Sequence, residues 1–317
     1  MITELSDEAT EYGHQARRAL EAAGGDDLAP RAEEKPLERA ALVEPALARL
    51  GAWDLDARGS ADEAEAAAAL CRAAGWWAIA YPVAERLSRP SGLTRDGTHV
   101  DGLVVVDPAR PVAAVGGLDL RWAAVDLDGR RCAATARADE MRPRKDGYVV
   151  PLDLEPLDDA GAGDLALAIV LPCWTLLGVL DRALALTSAY VQERHQFGRP
   201  LAAFQGVQFQ LTEAEVERMG LEELAKHALW SIETGALDAL VDALALRVAA
   251  LDAADVVLRI AHQLHGAIGF CDETTISWHS RASVALRRHP FGASATRAHL
   301  VRAMGRRGLT GLFTSAP

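Results

Sequence analysis

Apolar positions recur at helical spacing over roughly the first ninety residues. One run from about Leu5 to Ala23 opens after Thr3 or Ser6 and stops at Gly24-Gly25, a start and a stop signal of the usual kind. A second helix fits Leu37–Leu50, with Pro45 placed to kink or shorten it. A third runs from Ala61 to Ala74 and ends near Gly75, and WWAIAYPVAERL carries the apolar face onward. The texture changes at about Pro90. The short runs GLVVV, PVAAVGG, RWAAVDL and GYVVPLDL alternate with GG, DG, DP and KDG punctuation, which predicts about five short strands between residues 100 and 158. A small antiparallel sheet packed on helices is the expectation. Helical periods return from about Asp164: Leu165–Gln192, Phe204–Leu229, Ile232–Gly266 with Gly235 as a weak point, Thr274–Arg288 and Ser294–Met304. Helices of this length imply an antiparallel bundle. The fold class is therefore mainly α with a small β domain. It divides into an N-terminal helical region (1–92), an abbreviated β domain (93–160) and a C-terminal helical bundle (161–317).

Composition narrows the function classes. The chain has 317 residues, 50% of them hydrophobic and 25% charged, enough for a large core without disulfides or structural metal. Net charge is -12, and residues 1–70 alone carry -9 of it. A solvated acidic face on the early helices explains this, with a docking surface for a basic partner as the alternative. Attraction to nucleic acid or to an anionic membrane is not expected, and RRHPFG and VRAMGRRG are only short basic surfaces. The longest apolar stretch, Leu165–Leu180, falls short of a membrane span and contains Pro172, so it reads as a core helix. The start, MITELSDEATEYGHQ, does not read as a secretory signal. Cys71, Cys132, Cys173 and Cys271 are scattered without metal-ligand spacing and read as buried thiols in a reducing compartment. A cytoplasmic protein is expected. There is no GxGxxG after a strand and no GxxxxGK[ST], so neither a Rossmann nor a P-loop site is indicated.

Two segments carry candidate chemistry. QERHQFGRPLAAFQGVQFQL (192–211) sets a cation, Arg194, and a planar ring, Phe197, in a loop after a long helix, and Gly198 and Pro200 turn the chain into the next helix near Phe204. Arginine there can pair bidentately with phosphate oxygens, and Gln205 can offer its amide to the same ligand. AHQLHGAIGF (261–270) supplies Gln263 and a turn at Gly266 and Gly269 where a flat or anionic cofactor can approach the backbone. In order and spacing these segments resemble the flavin-dependent acyl-CoA dehydrogenase family, whose hallmark is E-R-x-x-F-G-x-P/L, then F-Q, then Q-x-x-G-G-x-G-Y/F and R-D. The matches are Glu193, Arg194, Phe197, Gly198, Pro200, Phe204 and Gln205, then Gln263, Gly266, Gly269, Phe270 and Arg281. Ala267 stands at the second glycine and Ala282 at the Asp of R-D. A weaker likeness covers 65–87, where LCRAAGWWAIAYPVAERL is similar to the family's E-L-G-R-x-L-x-P-x-P-x-x-E segment. The resemblance implies FAD as cofactor, with Arg194, Phe197, Gln205, Gln263 and Gly266 contacting a flavin held mainly by a neighbouring subunit.

The resemblance also exposes what is missing. The family's general base is a glutamate, in many members in I-Y-E-G after the R-D, where this chain has Pro290 or Phe291 in RRHPFG. Members that place it early in the long helix would put it at Ala168. The remaining candidates are Asp164, which otherwise caps that helix, and His289, whose imidazole titrates near neutrality. The family's T-E-P-x-x-G-S-D-like flavin segment has no counterpart between 90 and 165. The resemblance thus implies the base-less short subunit of an actinobacterial heteromeric α2β2 acyl-CoA dehydrogenase of the sterol side-chain type. FAD would be shared with a longer homologue, the substrate would be a bulky acyl-CoA, and electron-transferring flavoprotein would be a candidate acceptor. The alternatives are a self-sufficient homomeric enzyme using Asp164 or His289, and a non-enzymatic helical scaffold.

Overall fold

The computed structural model describes residues 4–95, 97–137 and 148–305; the KDG segment and the last residues of VRAMGRRG lie outside the described residues. Helix α1 (Asp7–Ala23) is capped by Ser6, whose Oγ accepts from the Ala9 N–H at 3.3 Å, and Asp7 and Glu8 sit at its positive end. Gly24 ends it at φ 148°, its N–H turned back onto Glu21 and Leu20. Helices α2 (Leu28–Glu34), α3 (Arg39–Arg49, with Pro45 inside), α4 (Ala61–Trp76) and α5 (Val83–Leu87) follow.

The β region opens with a hairpin, β1 (Thr94–Arg95) against β2 (Thr98–His99). A five-stranded sheet then runs in the order β3 (Gly102–Val105), β5 (Trp122–Val125), β6 (Arg130–Ala136), β7 (Val150–Ala160), β4 (Val112–Ala113). The expectation of an antiparallel sheet needs correcting, because β3 and β5 pair in parallel. The chain crosses to the far edge between them, where β4 pairs with β7, and residues 106–121 are long enough to return β5 in the direction of β3. Side chains alternate between two cores. Leu103, Val105, Ala123 and Val125 join the main helical core, while Val104, Trp122 and Ala124 join a smaller cluster on the other face. Burial on both faces is why GLVVV reads as an unbroken apolar run.

The C-terminal part is built on α6 (Leu165–Glu193), surrounded by α7 (Gln205–Glu233), α8 (Ala239–His265), α9 (Thr275–Arg288) and α10 (Ala293–Met304). Helix α6 is long and apolar enough to cross a membrane, but 78% of its most apolar window is buried inside the protein, so it serves as the core helix of the bundle. It crosses α4 at two glycines. A Cβ on Gly178 would stand 1.9 Å from the Arg72 carbonyl oxygen, and one on Gly75 1.9 Å from that of Thr175. The helix expected over Ile232–Gly266 is two pieces. Helix α7 continues to Glu233, and Gly235 (φ 63°) breaks the chain before α8 starts at Ala239. The cysteines also need correcting: Cys71 and Cys173 are buried, but Cys132 is partly exposed and Cys271 exposed, since they lie on a half-covered strand and a surface turn.

Candidate functional site

The last turn of α6 sets up the first candidate segment. The Arg194 N–H donates to the Tyr190 carbonyl at 2.9 Å, and the Arg194 carbonyl accepts from the Leu201 N–H at 2.8 Å. This closes a hairpin of β8 (His195–Gln196) on β9 (Arg199–Pro200). Its two-residue turn is Phe197 (φ 52°) and Gly198 (φ 79°), both left-handed, as a tight hairpin requires. The turn holds the Phe197 ring outward, 91% exposed, its centroid 6.3 Å from that of Phe204 and the two rings nearly perpendicular. The Arg199 guanidinium lies over Phe204 at 4.1 Å. Helix α7 starts at once with exposed Gln205.

Helix α8 delivers the second segment. It ends at His265, where Gly266 (φ 67°) turns the chain into a short 3-10 turn over Gly266–Phe270. The Tyr190 ring stacks on His265 at 4.5 Å, so both segments meet at one end of the bundle. His262 stacks on Phe270 at 4.3 Å. Burial lowers the pKa of His262 and of His265, so both rings stay neutral near pH 7. Arg194, Phe197, Gln205, Gln263 and Gly266 are all solvent-exposed. The Arg194 guanidinium has no ion pair or hydrogen bond among the described residues. A Cβ on Gly198 or Gly266 would meet nothing within 4 Å, so the backbone is open to a ligand. An unpaired cation, an upright ring and two open glycine turns fit the diphosphate and flat ring of FAD.

The base candidates lie elsewhere. Asp164 occupies the cap position of α6 but makes no capping hydrogen bond. Its carboxylate is held instead by Arg58 at 3.3 Å and by Arg131 of β6, tying the sheet to the N-terminal helices. His289, Pro290 and Ala168 line one small cavity of about 70 Å³ beneath the sheet. Its floor is closed by Arg247, 5% exposed, which donates to the carbonyls of His289 (2.6 Å) and Phe291 (2.8 Å). Sequence reasoning missed Arg247, and it missed Glu85, the one carboxylate on that cavity. Burial raises the pKa of Glu85, opposed by its own backbone N–H and by the more distant Arg39. The only sequence signal for Glu85 was its place at the end of the 65–87 segment.

With this geometry in view, similarity to known proteins fixes the class. The acyl-CoA dehydrogenase C-terminal domain family matches residues 167–307. Over that span the chain is similar to this family, and its whole fold is that of the acyl-CoA dehydrogenases. It is 30% identical to a 3-sulfinopropanoyl-CoA desulfinase of Paraburkholderia xenovorans, over 55% of this chain and 43% of that protein. It is 34% identical to acyl-CoA dehydrogenase FadE28 of Mycobacterium tuberculosis, over 45% of this chain and 42% of that one. The matched segments thus span less than half the length of either relative. Among solved structures, the Tcur3481-Tcur3483 steroid ACAD aligns at a TM-score of 0.72 and 24% identity, over 95% of this chain and 98% of that chain. The ChsE4-ChsE5 complex of Mycobacterium tuberculosis aligns at 0.75 and 17%, over 96% and 99%.

Proposed function

We propose that this chain is the FAD-contacting, base-less subunit of a heteromeric acyl-CoA dehydrogenase that introduces an α,β double bond into a bulky acyl-CoA, a steroid side-chain thioester being the leading case. The observation that carries this reading is the pairing of an open flavin edge with a closed base position. The flavin edge is exposed, with an unpaired Arg194. By the resemblance, the family's glutamate would fall at Pro290 or Phe291, or at Ala168; Pro290 and Ala168 lie on a cavity too small for an acyl chain. The fold shared with the Tcur3481-Tcur3483 steroid ACAD and the ChsE4-ChsE5 complex supports the same reading.

FAD bound here would supply hydride-accepting chemistry, and the base would have to come from the partner, since this chain offers none at the family's positions. This chain's residues do the holding. Arg194 neutralises diphosphate charge, Phe197 covers the flat ring, and Gln205 and Gln263 supply amide hydrogen bonds. The open turn at Gly266 lets the dinucleotide approach the backbone. The 1–92, 93–160 and 161–317 boundaries, a cytoplasmic location and electron-transferring flavoprotein as acceptor belong to the same proposal. Two arginines on the Asp164 carboxylate argue against it as the base of the self-sufficient alternative, which would then rest on His289. The test is co-expression with a longer homologue that carries the glutamate. The expected result is a yellow α2β2 complex with fewer flavins than subunits, active on a CoA ester, and little flavin on this chain alone. Stoichiometric flavin and full activity on the isolated chain would overturn it.

A further inference from the structure

A cavity of about 620 Å³ is lined by α1, α4, α6 and α7, and it shares no residue with the flavin edge or the base positions. Its volume lies in the range of a small-molecule pocket. Ala73, Leu184, Ala185 and Leu211 give it apolar walls. Helix α1 lies close on α4 at one side, where a Cβ on Gly13 would stand 3.1 Å from the Ala69 Cβ. Beyond that contact α1 turns a polar stripe to the cavity. Thr10, His14 and Arg17 recur at i, i+4 and i+7, the spacing of a single helix face.

The charged groups of this cavity differ in what they have to spare. Arg72 and Arg218 are fully engaged by Asp181, Glu215 and Glu222. The same contacts occupy Asp181 and Glu215, the two carboxylates on the cavity wall. Arg17 is different. Its guanidinium makes no hydrogen bond or ion pair among the described residues. It stands over the Trp76 ring, 3.5 Å from the centroid. Its backbone is pinned as well, because the Trp77 Nε1–H donates to the Arg17 carbonyl at 2.9 Å. A cation held at both ends loses little freedom when a ligand arrives. Burial lowers the Arg17 pKa, with the charge of Asp181 opposing, so this cation is partly stripped of water without a hydrogen-bonding partner in exchange. Thr10 and His14, exposed on the same stripe, make no side-chain hydrogen bond among the described residues. What the cavity has free is therefore donors, beside apolar walls. Asp181 and Glu21 stand near enough to Arg17 to favour one negative charge on a ligand over two. A carboxylate meets that condition and fits the guanidinium edge through two parallel hydrogen bonds. A flat ring suits the indole–guanidinium stack beside it.

We propose that the cavity between α1 and α7 binds a small aromatic carboxylate, its carboxylate on the N–H edge of Arg17 and its ring among Ala73, Leu184 and Leu211. The site goes beyond the subunit role above and needs neither FAD nor a partner. The experiment is calorimetric titration of the flavin-free full chain with 2-naphthoate and with the neutral 2-naphthylmethanol. Naphthoate is expected to saturate at one per chain, with the alcohol at least tenfold weaker. Arg17→Gln should cost naphthoate at least tenfold and erase that difference. Ala185 is exposed on the cavity wall, so Ala185→Trp adds bulk there without disturbing the core. That variant should block both compounds while thermal unfolding stays within a few degrees of the parent. Equal binding of the alcohol, naphthoate binding that survives either substitution, or no saturable naphthoate binding would each overturn the proposal. Because neither flavin nor partner takes part, any of these leaves the subunit reading standing, and failure of that reading leaves this one standing.

Discussion

Charged side chains in this protein differ mainly in what their neighbours do with the charge. Arg194 is exposed with no partner among the described residues, while Asp164 is claimed by two arginines. If Arg194 serves the flavin diphosphate, Arg194→Ala should strip FAD from the assembled complex without dissociating it, read as the flavin-to-protein absorbance ratio after gel filtration. Unchanged retention would favour a scaffold role. Glu233 gives a pH test. Burial, then the charges of Glu65 and Asp62, push its pKa up to about 7, and its Oε1 is shielded without a partner. The folded state therefore binds this proton more tightly than the unfolded chain. The stability tied to it is present below the ordinary carboxylate range and lost as pH rises through about 7. Glu233→Gln should thus be about 1–2 kcal/mol more stable than the parent at pH 8, allowing for solvent screening at a half-buried site, and no more stable at pH 4. Denaturant melts at the two pH values check this, and an equal gain at both would refute the assignment.

At the scale of elements, α4, α6 and α7 are tied by two devices. The first is the glycine crossing. Gly178→Ala would drive a Cβ into the α4 backbone, which cannot yield as a side chain could, so a loss of about 3 kcal/mol or more is expected in thermal or urea unfolding. The second is an ion-pair network. Arg72 reaches Asp181 at 2.6 Å and Glu222 at 2.8 Å, and Arg218 reaches Glu222 at 2.7 Å. Burial alone would raise the pKa of Glu222, but hydrogen bonds from Arg72 and Arg218 outweigh it and bring it to about 2. This depressed pKa contributes stability at neutral pH that is lost as pH falls from the ordinary carboxylate range through about 2. Arg72→Met should cost about 2–3 kcal/mol at pH 7, less than for a fully buried pair because these side chains keep some solvent contact. The cost should shrink in acid; a cost that stays constant to pH 3 would mean that Arg72 contributes packing only.

The long helices were legible because α6, α7 and α8 each bury a periodic stripe, and Ser6, Ser60 and Gly24 mark ends by local chemistry alone. The two candidate flavin segments could be picked out for a similar reason, since each is contiguous in sequence. What depended on distant partners was hidden. The parallel pairing of β3 and β5 follows from where β4 goes, not from either strand's residues. Gly235 was visible as a weak point, but only the structure places the break there and carries α7 on to Glu233. Arg39 and Arg247 look like surface cations in sequence, because the carbonyls that accept from them come from the α4–α5 connection, the sheet and the α9–α10 loop. Glu85 sits in a five-residue helix, too short to show a periodic face.

Among the described residues, α7 carries an apolar stripe that the protein's own core does not cover. Phe209, Val216 and Met219 are 65%, 62% and 53% exposed on α7, and their spacing puts them on one face of the helix. That face continues from the exposed Phe197–Gln205 segment at the start of the same helix. Single exposed apolar residues need no explanation, but a stripe adjoining the proposed flavin edge does. If the flavin lies between unlike chains, the partner must pack beside that edge, and this stripe is the surface available to it. Charge placed there should therefore separate assembly from folding. Val216→Glu is expected to leave the melting temperature of the isolated chain within a few degrees of the parent, because the side chain is already in water. The same change should weaken co-purification with the longer subunit at least tenfold, as a carboxylate would be buried without a partner. Flavin should be lost in proportion, since the Arg194 edge would no longer be held against the rest of its site. A Val216→Glu chain that assembles normally and retains full flavin would place the partner on another face, and would require the exposed Arg194 segment to reach its dinucleotide without help from α7.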